Sequence, residues 1–340
     1  MTLKTNRILR ILSVNSLNNK SDFPLAISLI LFYFTRDRID SNTIKISMTT
    51  VGTDTIKYTF SGHDSFQCRQ LWLKKGYDYI QSKKSFNDED AVVKLGVGKN
   101  MVSAIRYWMK AFNIIDGKDK PTEFGTKLFD NDGYDPFLED DASLWLLHYQ
   151  LIKTGLASTY SIIFNEFRKE KLFFNKDTFV NYLKRVREAE KNFNFNDNTV
   201  ADDFIVLVKM YQNSEGSKDV EDSFSGILSE IELLKTIGKG KDEQYQIENN
   251  ERDKLPEAVL LFSILDNPSY GDSIGLNALE YDNNSPGSIF CLNRSGLTNK
   301  ISEIVHDNKQ ITFTDHAGIK ELQFKKKPNA YSILDTYYGK

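Results

Sequence analysis

The chain has 340 residues, 40% of them hydrophobic and 12% aromatic, which is enough apolar material for two or three globular domains. Lys and Arg number 44 against 47 Asp and Glu, so the net charge of −3 excludes a uniformly basic nucleic-acid coat and confines any nucleic-acid site to a local patch. The two cysteines, Cys68 and Cys291, lie far apart and outside any paired motif. They predict neither a zinc site nor a disulfide framework, which suits a reducing, cytoplasmic setting.

The first 47 residues differ in composition from the rest of the chain. The apolar run FPLAISLILFYF is short for a membrane span, which needs about 20 residues. A polar lead before it and a charged RDR after it also make it a poor signal peptide. We interpret residues 1–47 as a poorly ordered arm or an over-extended reading frame, with a protein start at Met48. The alternative interpretation is a membrane anchor.

Residues 58–134 have the pattern of a winged helix-turn-helix. Apolar positions in CRQLWLKKGYDYIQS have helical spacing, and DEDAVVKL is typical of a short second helix with acids in its first turn. Glycines at 96 and 98 break that helix before a longer one, which runs from Lys99 to about Ile115. The turn DGKDKP and the segment PTEFGTKLF, predicted as a short strand or hairpin arm, complete the order helix, helix, turn, helix, hairpin.

Three further regions follow in the chain. Residues 135–211 contain four stretches with an apolar stripe at helical spacing, which predict a central helical domain. Residues 212–254 are polar and predict a linker or hinge. Residues 255–340 repeat the earlier order and end in ITFTDHAGIKELQF, which predicts a two-stranded hairpin and a second winged-helix-like domain. The predicted fold class is therefore mainly α with small β hairpins.

The longer helix, LGVGKNMVSAIRYWMKAFNII, has two different faces. One face is apolar, with positions three, four and three residues apart: Val102, Ile105, Met109 and Phe112. The other side lacks acids and carries cations and hydrogen-bonding groups: Lys99, Asn100, Ser103, Arg106, Tyr107 and Lys110. Long cations reach phosphates, while Arg and Asn also bond base edges bidentately, so this side predicts a helix that contacts duplex DNA.

Two other interpretations of that helix remain open at this point. A plain amphipathic core helix would explain the apolar spacing alone. A nucleotide-binding loop would use Gly96 and Gly98, but the leading glycine, the four-residue spacer and the preceding strand of a Walker motif are missing. After the helix, the predicted wing contributes lysines that would touch the DNA backbone: Lys118, Lys120 and Lys127.

Acidic residues cluster in DNDGYDPFLEDDASLWLLH, just before a predicted helix. Asp135, Glu139 and Asp140 are candidate catalytic residues, because clustered carboxylates hold Mg²⁺ for phosphodiester cleavage. Acids at the start of a helix also stabilise it through the helix dipole, and the spacing is not that of an EF-hand loop. The sequence predicts no cofactor other than Mg²⁺, and that ion only if the protein is a nuclease. His148 in LWLLHYQL is expected to be a hydrogen-bonded core residue.

The stretch SGHDSFQCR places His63, Asp64 and Cys68 close together. A Cys with a His is typical of a nucleophile pair. Capping at a strand-to-helix junction explains the same residues, and the sequence identifies no third group that would orient the histidine.

Five stretches together resemble a bacterial family of unknown function from phage-defence islands. They lie in order between Tyr58 and Tyr338: GHDSFQCRQLWLKKGYD, LGVGKNMVSAIRYWMKAFNII, DPFLEDDASLWLLHYQL, SPGSIFCLNRSGL and ITFTDHAGIKELQF. The family's genes often lie beside a phosphoadenosine-phosphosulfate-reductase-like protein. Its best-known members resemble the DNA-binding, nicking subunit of the single-stranded DNA phosphorothioation system.

The resemblance implies a role on DNA in a sulfur-modification or related antiphage system. It also implies three partners, namely a cysteine desulfurase, an ATPase and a sulfurtransferase-like protein. The leading prediction is a DNA-binding subunit that holds double-stranded DNA through its winged helix. One alternative is a metal-dependent DNA nickase in the same system. Another is a protein-interaction scaffold or transcriptional regulator built on winged helices.

Overall fold

Helices dominate the part of the chain that the structure, a computed structural model, describes: residues 58–189, 194–213 and 225–340. The strands of these residues are short and form two antiparallel three-stranded sheets. The expectation of a mainly helical chain with small β elements is therefore confirmed. The predicted arm, residues 1–47, lies outside the described residues. Within them, no helix combines the length and apolar character that crossing a membrane requires.

Four helices joined by turns form the N-terminal part. The helices are α1 Trp72–Gln81, α2 Ala91–Leu95, α3 Lys99–Ala111 and α4 Glu123–Phe129. Helix α2 ends where Gly96 adopts φ 66°, a left-handed conformation that glycine reaches without strain. The chain then turns over residues 96–98 and enters α3. The turn between two helices, and not a nucleotide loop, accounts for these glycines.

The segment of residues 121–129 differs from its prediction, because it forms helix α4 and not a strand. The Thr122 side chain caps this helix by accepting a backbone N–H bond at 2.9 Å. The inner face of α4 buries three apolar side chains: Phe124, Leu128 and Phe129. The expected wing is consequently reduced to a turn at residues 116–120, which is closed by a β-bridge between Ile115 and Pro121.

The middle of the chain is a set of helices around one apolar helix. The helices are α5 Asp141–Thr154, α6 Ser158–Ile162, α7 Arg168–Glu170, α8 Lys176–Ala189 and α9 Asp197–Tyr211, with a π-helical turn at Ile163–Phe167. In α5 every residue from Ala142 to Ile152 is buried, so this helix lies within the core. Each of the four stretches predicted to be helical in this region contains a helix.

The region predicted as a polar linker, residues 212–254, differs from that prediction over residues 225–254, which form most of its described part. Ile227 and Leu228 are buried, and the Ile227 N–H donates to the Cys68 carbonyl at 3.0 Å. The region also contributes two strands to a sheet with the order β1-β3-β2, whose members are β1 Phe173–Phe174, β2 Lys235–Ile237 and β3 Gln244–Gln246. These contacts make residues 225–254 folded and tie them to the segment before α1 and, through β1, to the middle of the chain.

The C-terminal region ends in a hairpin and a helix. Its elements are α10 Glu257–Leu265, β4 Ser273–Gly275, α11 Leu276–Tyr281, α12 Pro286–Ile289, α13 Arg294–Asp307, β5 Ile311–His316, β6 Ile319–Phe324 and α14 Ala330–Tyr337. Six residue pairs, from Ile311 with Phe324 to His316 with Ile319, define the hairpin register. Strand β4 pairs with the other edge of β6, which gives the order β4-β6-β5. The predicted hairpin is therefore present beside the long helix α13.

Candidate nucleic-acid interface

Helix α3 turns one face to the core and one to solvent. Ile105 and Met109 are fully buried, and α3 packs so closely on α1 that a Cβ on Gly76 would lie 2.3 Å from the Met109 sulfur. The apolar spacing therefore predicted the inner face correctly. The first half of the outer side is exposed and carries Lys99, Asn100 and Ser103.

The second half of the outer side is occupied by an acid from the following turn. Arg106 binds the Asp119 carboxylate with two bonds, from Nε to Oδ1 at 3.0 Å and from Nη2 to Oδ2 at 2.6 Å. Lys110 Nζ lies 2.9 Å from Oδ1 of the same carboxylate. Helical spacing could not reveal this acid, since it is contributed by the turn. The cue in the sequence is the alternation of acids and lysines in DGKDKP.

The carboxylate of Asp119 is ionised because its two partners outweigh its burial. Partial burial acts to raise the pKa of Asp119, but the hydrogen bonds and charges of Arg106 and Lys110 leave that pKa below its ordinary value. Its backbone adopts φ 61°, a left-handed conformation that Asp tolerates better than most residues. The pair formed by Arg106 and Lys110 therefore keeps one net positive charge.

The backbone of the turn is held by bonds that do not involve the Asp119 side chain. The Asp116 N–H donates to the Lys120 carbonyl at 2.8 Å, and Asp116 Oδ1 accepts from the N–H groups of Lys118 at 2.8 Å and Lys120 at 2.9 Å. These bonds to the backbone, opposed by some desolvation, lower the pKa of Asp116. The side chains of Lys118 and Lys120 stay exposed beside the outer side of α3.

Tyr107 packs against the segment that precedes α1. Its ring lies edge-on to the ring of His63, with 5.6 Å between the centroids. A Cβ on Gly62 would lie 2.5 Å from the Tyr107 ring, so only glycine permits this approach. Burial, with a smaller contribution from the charge of Asp203, raises the pKa of the Tyr107 hydroxyl. This geometry gives Tyr107 a packing role that fixes α3 against its neighbours.

The partner of His63 is an acid that is distant in sequence. His63 Nε2 lies 3.0 Å from Asp203 Oδ1, and both residues are buried. Asp203 also accepts bonds from the Ser61 N–H at 2.9 Å and the Thr159 hydroxyl at 3.2 Å. Burial raises the pKa of the Cys68 thiol, which is the opposite of what an activated nucleophile needs. The contact between His63 and Asp203 therefore joins the segment before α1 to helix α9.

The acidic cluster is bonded to the start of α5. Asp135 is buried and accepts bonds from the N–H groups of Glu139 at 3.0 Å and Asp140 at 2.9 Å, and from the Ser143 hydroxyl at 2.7 Å. Asp140 caps α5 by accepting from the Ala142 N–H at 2.8 Å, while the side chain of Glu139 is exposed. The oxygens of Asp135 and one oxygen of Asp140 thus bind donors at the start of α5 and stabilise this helix. In the described ranges, no three His, Cys, Asp or Glu side chains are grouped to hold a metal ion.

Lys127, the third predicted wing lysine, contacts the C-terminal helix. Its Nζ lies 2.8 Å from Asp335 Oδ1, and the Tyr134 hydroxyl donates to the same oxygen at 2.5 Å. The rings of Tyr134 and Tyr338 stack with 4.7 Å between their centroids. Lys127 therefore connects α4 to α14, while Lys118 and Lys120 are the exposed lysines of the turn.

The long C-terminal helix α13 offers less cationic surface than α3. Arg294 Nη2 lies 2.6 Å from Glu280 Oε2, and Lys300 is buried with its Nζ bonded to the Leu255 carbonyl. Residues 255–340 contain eight Lys and Arg against ten Asp and Glu, whereas residues 58–134 contain 12 against ten. The local excess of positive charge expected of a nucleic-acid site thus belongs to the N-terminal part.

Comparisons with known proteins match nearly all of the described fold. A family model described as "Protein of unknown function (DUF4007)" matches residues 60–338. Among solved structures, a magnesium ion-bound crystal structure of SspB is similar at a TM-score of 0.75 and 26% identity, covering 83% of this chain and 88% of that one. A second crystal structure of SspB has the same identity and coverage and a TM-score of 0.74. No curated protein sequence matches the chain.

Proposed function

We propose that this chain, which belongs to the family described as protein of unknown function (DUF4007), is a DNA-binding subunit of a phosphorothioation-type system. SspB is a phosphorothioation-system protein, and the similarity to it extends over most of both chains. This similarity supports the kind of system. The partners proposed with it are the sulfurtransferase-like, ATPase and cysteine desulfurase proteins of that system.

The observation that carries DNA binding is the exposed half of α3 beside the exposed lysines of the turn. Lys99, Asn100 and Ser103 project from the helix, and Lys118 and Lys120 from the turn after it. Lysines at such positions neutralise phosphates on either side of a groove, while Asn and Ser bond to base edges. The remaining positive charge of the pair formed by Arg106 and Lys110 adds to the attraction for phosphate.

We expect the triple variant Lys99→Ala, Lys118→Ala, Lys120→Ala to bind a fluorescent duplex more weakly than the parent protein. Each phosphate contact that is lost should make the slope of log affinity against log salt shallower by ~0.9. Fluorescence anisotropy at several salt concentrations measures both quantities.

Asn100→Ala should instead weaken binding by about 1–3 kcal/mol on preferred sequences only, if Asn100 bonds a base edge bidentately. The same anisotropy measurement on several duplex sequences tests this expectation.

The matched control removes three exposed lysines from the C-terminal region: Lys309, Lys325 and Lys326. It changes the net charge by the same amount and should leave duplex affinity near that of the parent. Equal losses in the two triple variants would mean that the attraction is generic and that the α3 surface is not the site.

A second candidate function is strand nicking, which the magnesium-bound structure of SspB favours. Supercoiled plasmid would be incubated with the full chain in parallel reactions, one containing Mg²⁺ and one containing EDTA. Conversion of the plasmid to open circle would be scored. A nickase of this kind converts the plasmid only when Mg²⁺ is present. Nicking that survives alanine at both Glu139 and Asp140 would exclude the acidic cluster as its site. A duplex shift without conversion leaves a DNA-binding subunit.

A further inference from the structure

One acid lies on the surface assigned to DNA and binds two of its cations. The Asp119 side chain contacts Arg106 through two bonds and Lys110 through a third. Nothing else in the described residues bonds to its carboxylate oxygens. Asp119 is about one-fifth exposed, and Arg106 about one-third. The ion pairs therefore lie at the rim of the site, where an incoming group can reach them.

The turn does not need these ion pairs to keep its shape. Its backbone is closed by the Ile115–Pro121 bridge and by the bonds that Asp116 makes to Lys118 and Lys120. The Asp119 N–H also donates to the Asp116 carbonyl at 3.1 Å. Since the backbone bonds define the turn, the Asp119 carboxylate is free to leave its cations without unfolding it.

The carboxylate has the geometry of the ligand that the site would bind. A carboxylate presents two oxygens to the fork of a guanidinium, and the oxygens of a phosphate are bound in the same bidentate way. Lys110 binds either group as a point charge. Asp119 in the free protein thus occupies the donors that a DNA phosphate would use.

On the basis of the proposed DNA-binding function, we propose that Asp119 is an internal substitute for phosphate that holds Arg106 and Lys110 in the free protein and is exchanged for a phosphate of the duplex. Asp119 then sets the affinity of the site. Polyanions that do not also engage Lys99, Lys118 and Lys120 must compete with a carboxylate that is already in place. A duplex bound to those lysines brings a phosphate to Arg106 and Lys110, and this phosphate displaces the Asp119 carboxylate.

The test is Asp119→Asn, measured by anisotropy on the same duplex. Asn has nearly the same shape and also tolerates the left-handed conformation, so the turn should be unchanged. We expect the variant to bind the duplex roughly three- to thirtyfold more tightly, because binding no longer breaks two rim ion pairs. Adding Arg106→Ala and Lys110→Ala to Asp119→Asn should remove this gain.

The control is Asp132→Asn, which removes one charge from an exposed acid of the same region. A smaller gain in the control than in Asp119→Asn supports the exchange. Unchanged or weaker binding by Asp119→Asn overturns it and makes Asp119 a positioning residue for the turn. Equal thermal unfolding of the variants and the parent would show that folding is not the cause.

Retention on a heparin column separates this proposal from the one on which it rests. If neither the parent nor Asp119→Asn binds duplex, the proposed function fails. Elution of Asp119→Asn at higher salt than Asp132→Asn still supports Asp119 as an internal competitor for anions. Elution of both at the same salt overturns that role as well.

Discussion

The buried histidine of α5 is bound by partners that are distant in sequence. His148 is fully buried in α5, where its Nδ1 accepts from the Tyr211 hydroxyl and its Nε2 donates to the Ile289 carbonyl, each at 2.8 Å. Its position in LWLLHYQL predicted a bonded core histidine, which the structure confirms. Its partners lie 63 and 141 residues away, so the local pattern contained no information about them.

We expect His148 to make the protein sensitive to mild acid. Burial, opposed by the bond to the Ile289 carbonyl, lowers the pKa of His148 from 6.5 to about 3. Below pH 6.5 His148 becomes protonated in the unfolded chain, whereas in the folded protein it stays neutral until about pH 3. The free energy of unfolding therefore falls as the pH falls. The loss should be up to ~1.4 kcal/mol per pH unit and is absent above this window.

Urea unfolding at several pH values between neutral and about pH 5 measures this loss. His148→Gln is the comparison, since Gln can bond to both partners and does not titrate. The parent should lose stability more steeply than His148→Gln. Parallel pH profiles for the two proteins would show that His148 does not contribute.

Residues of the candidate nucleic-acid interface also have partners that their local sequence does not reveal. The helical spacing predicts which residues lie on the outer side of α3. It does not predict that Asp119, in the turn that follows, binds Arg106. Tyr107 was predicted on the outer side, yet Gly62 and His63 approach its ring. A residue's side of a helix is thus predictable from sequence, whereas the neighbour that covers it is not.

Among the elements, α4 is a helix where a strand was predicted. The segment PTEFGTKLF was predicted as a strand, and its Thr and Phe are residues that strands commonly contain. The helix is explained by Thr122 as N-cap and Glu123 in the first turn, which are start signals present in the sequence. The hairpin of β5 and β6 was predicted correctly because its turn signal and its alternation agree. An element is predictable where several local signals indicate the same structure.

We expect Gly125→Ala to destabilise the protein by about 1–3 kcal/mol, the usual range for overpacking. A Cβ at Gly125 would lie 2.1 Å from the Ile114 carbonyl oxygen, so α4 or the turn must move. Thermal or urea unfolding gives the change in stability. The control is Gly117→Ala, where no heavy atom lies within 4 Å of the added Cβ and little change is expected. Equal stability of the two variants would contradict the close packing of α4.

At the scale of the whole molecule, the predicted boundaries are crossed by specific bonds. Asp203 bonds to Ser61, and Asp335 bonds to Lys127 and Tyr134. The described residues, 58–189, 194–213 and 225–340, accordingly belong to one compact unit. Composition shifts suggested boundaries at residues 134, 211 and 254. They gave no information on contacts between regions, because each contact joins residues that are far apart in sequence.

We expect residues 58–134 expressed alone not to fold stably. In the intact chain, Ser61, Lys127 and Tyr134 use partners outside this range, and Trp108 packs edge-on to Tyr160 at 5.8 Å between the centroids. Circular dichroism during heating should show no cooperative transition for the fragment and one for the full chain. A fragment that melts cooperatively and binds duplex would contradict this dependence and would make the α3 surface autonomous.

The bond between Lys127 and Asp335 has a consequence for synthesis of the protein. It joins residues that are 208 positions apart. A ribosome adds about 5–20 residues per second, so α14 emerges roughly 10 to 40 seconds after α4. During that time the nascent chain contains the cations of α3 and the turn, but Lys127 of α4 lacks its bond to Asp335 of α14. On the proposed DNA-binding function, we expect the growing chain to acquire its full affinity for duplex only after α14 has been made.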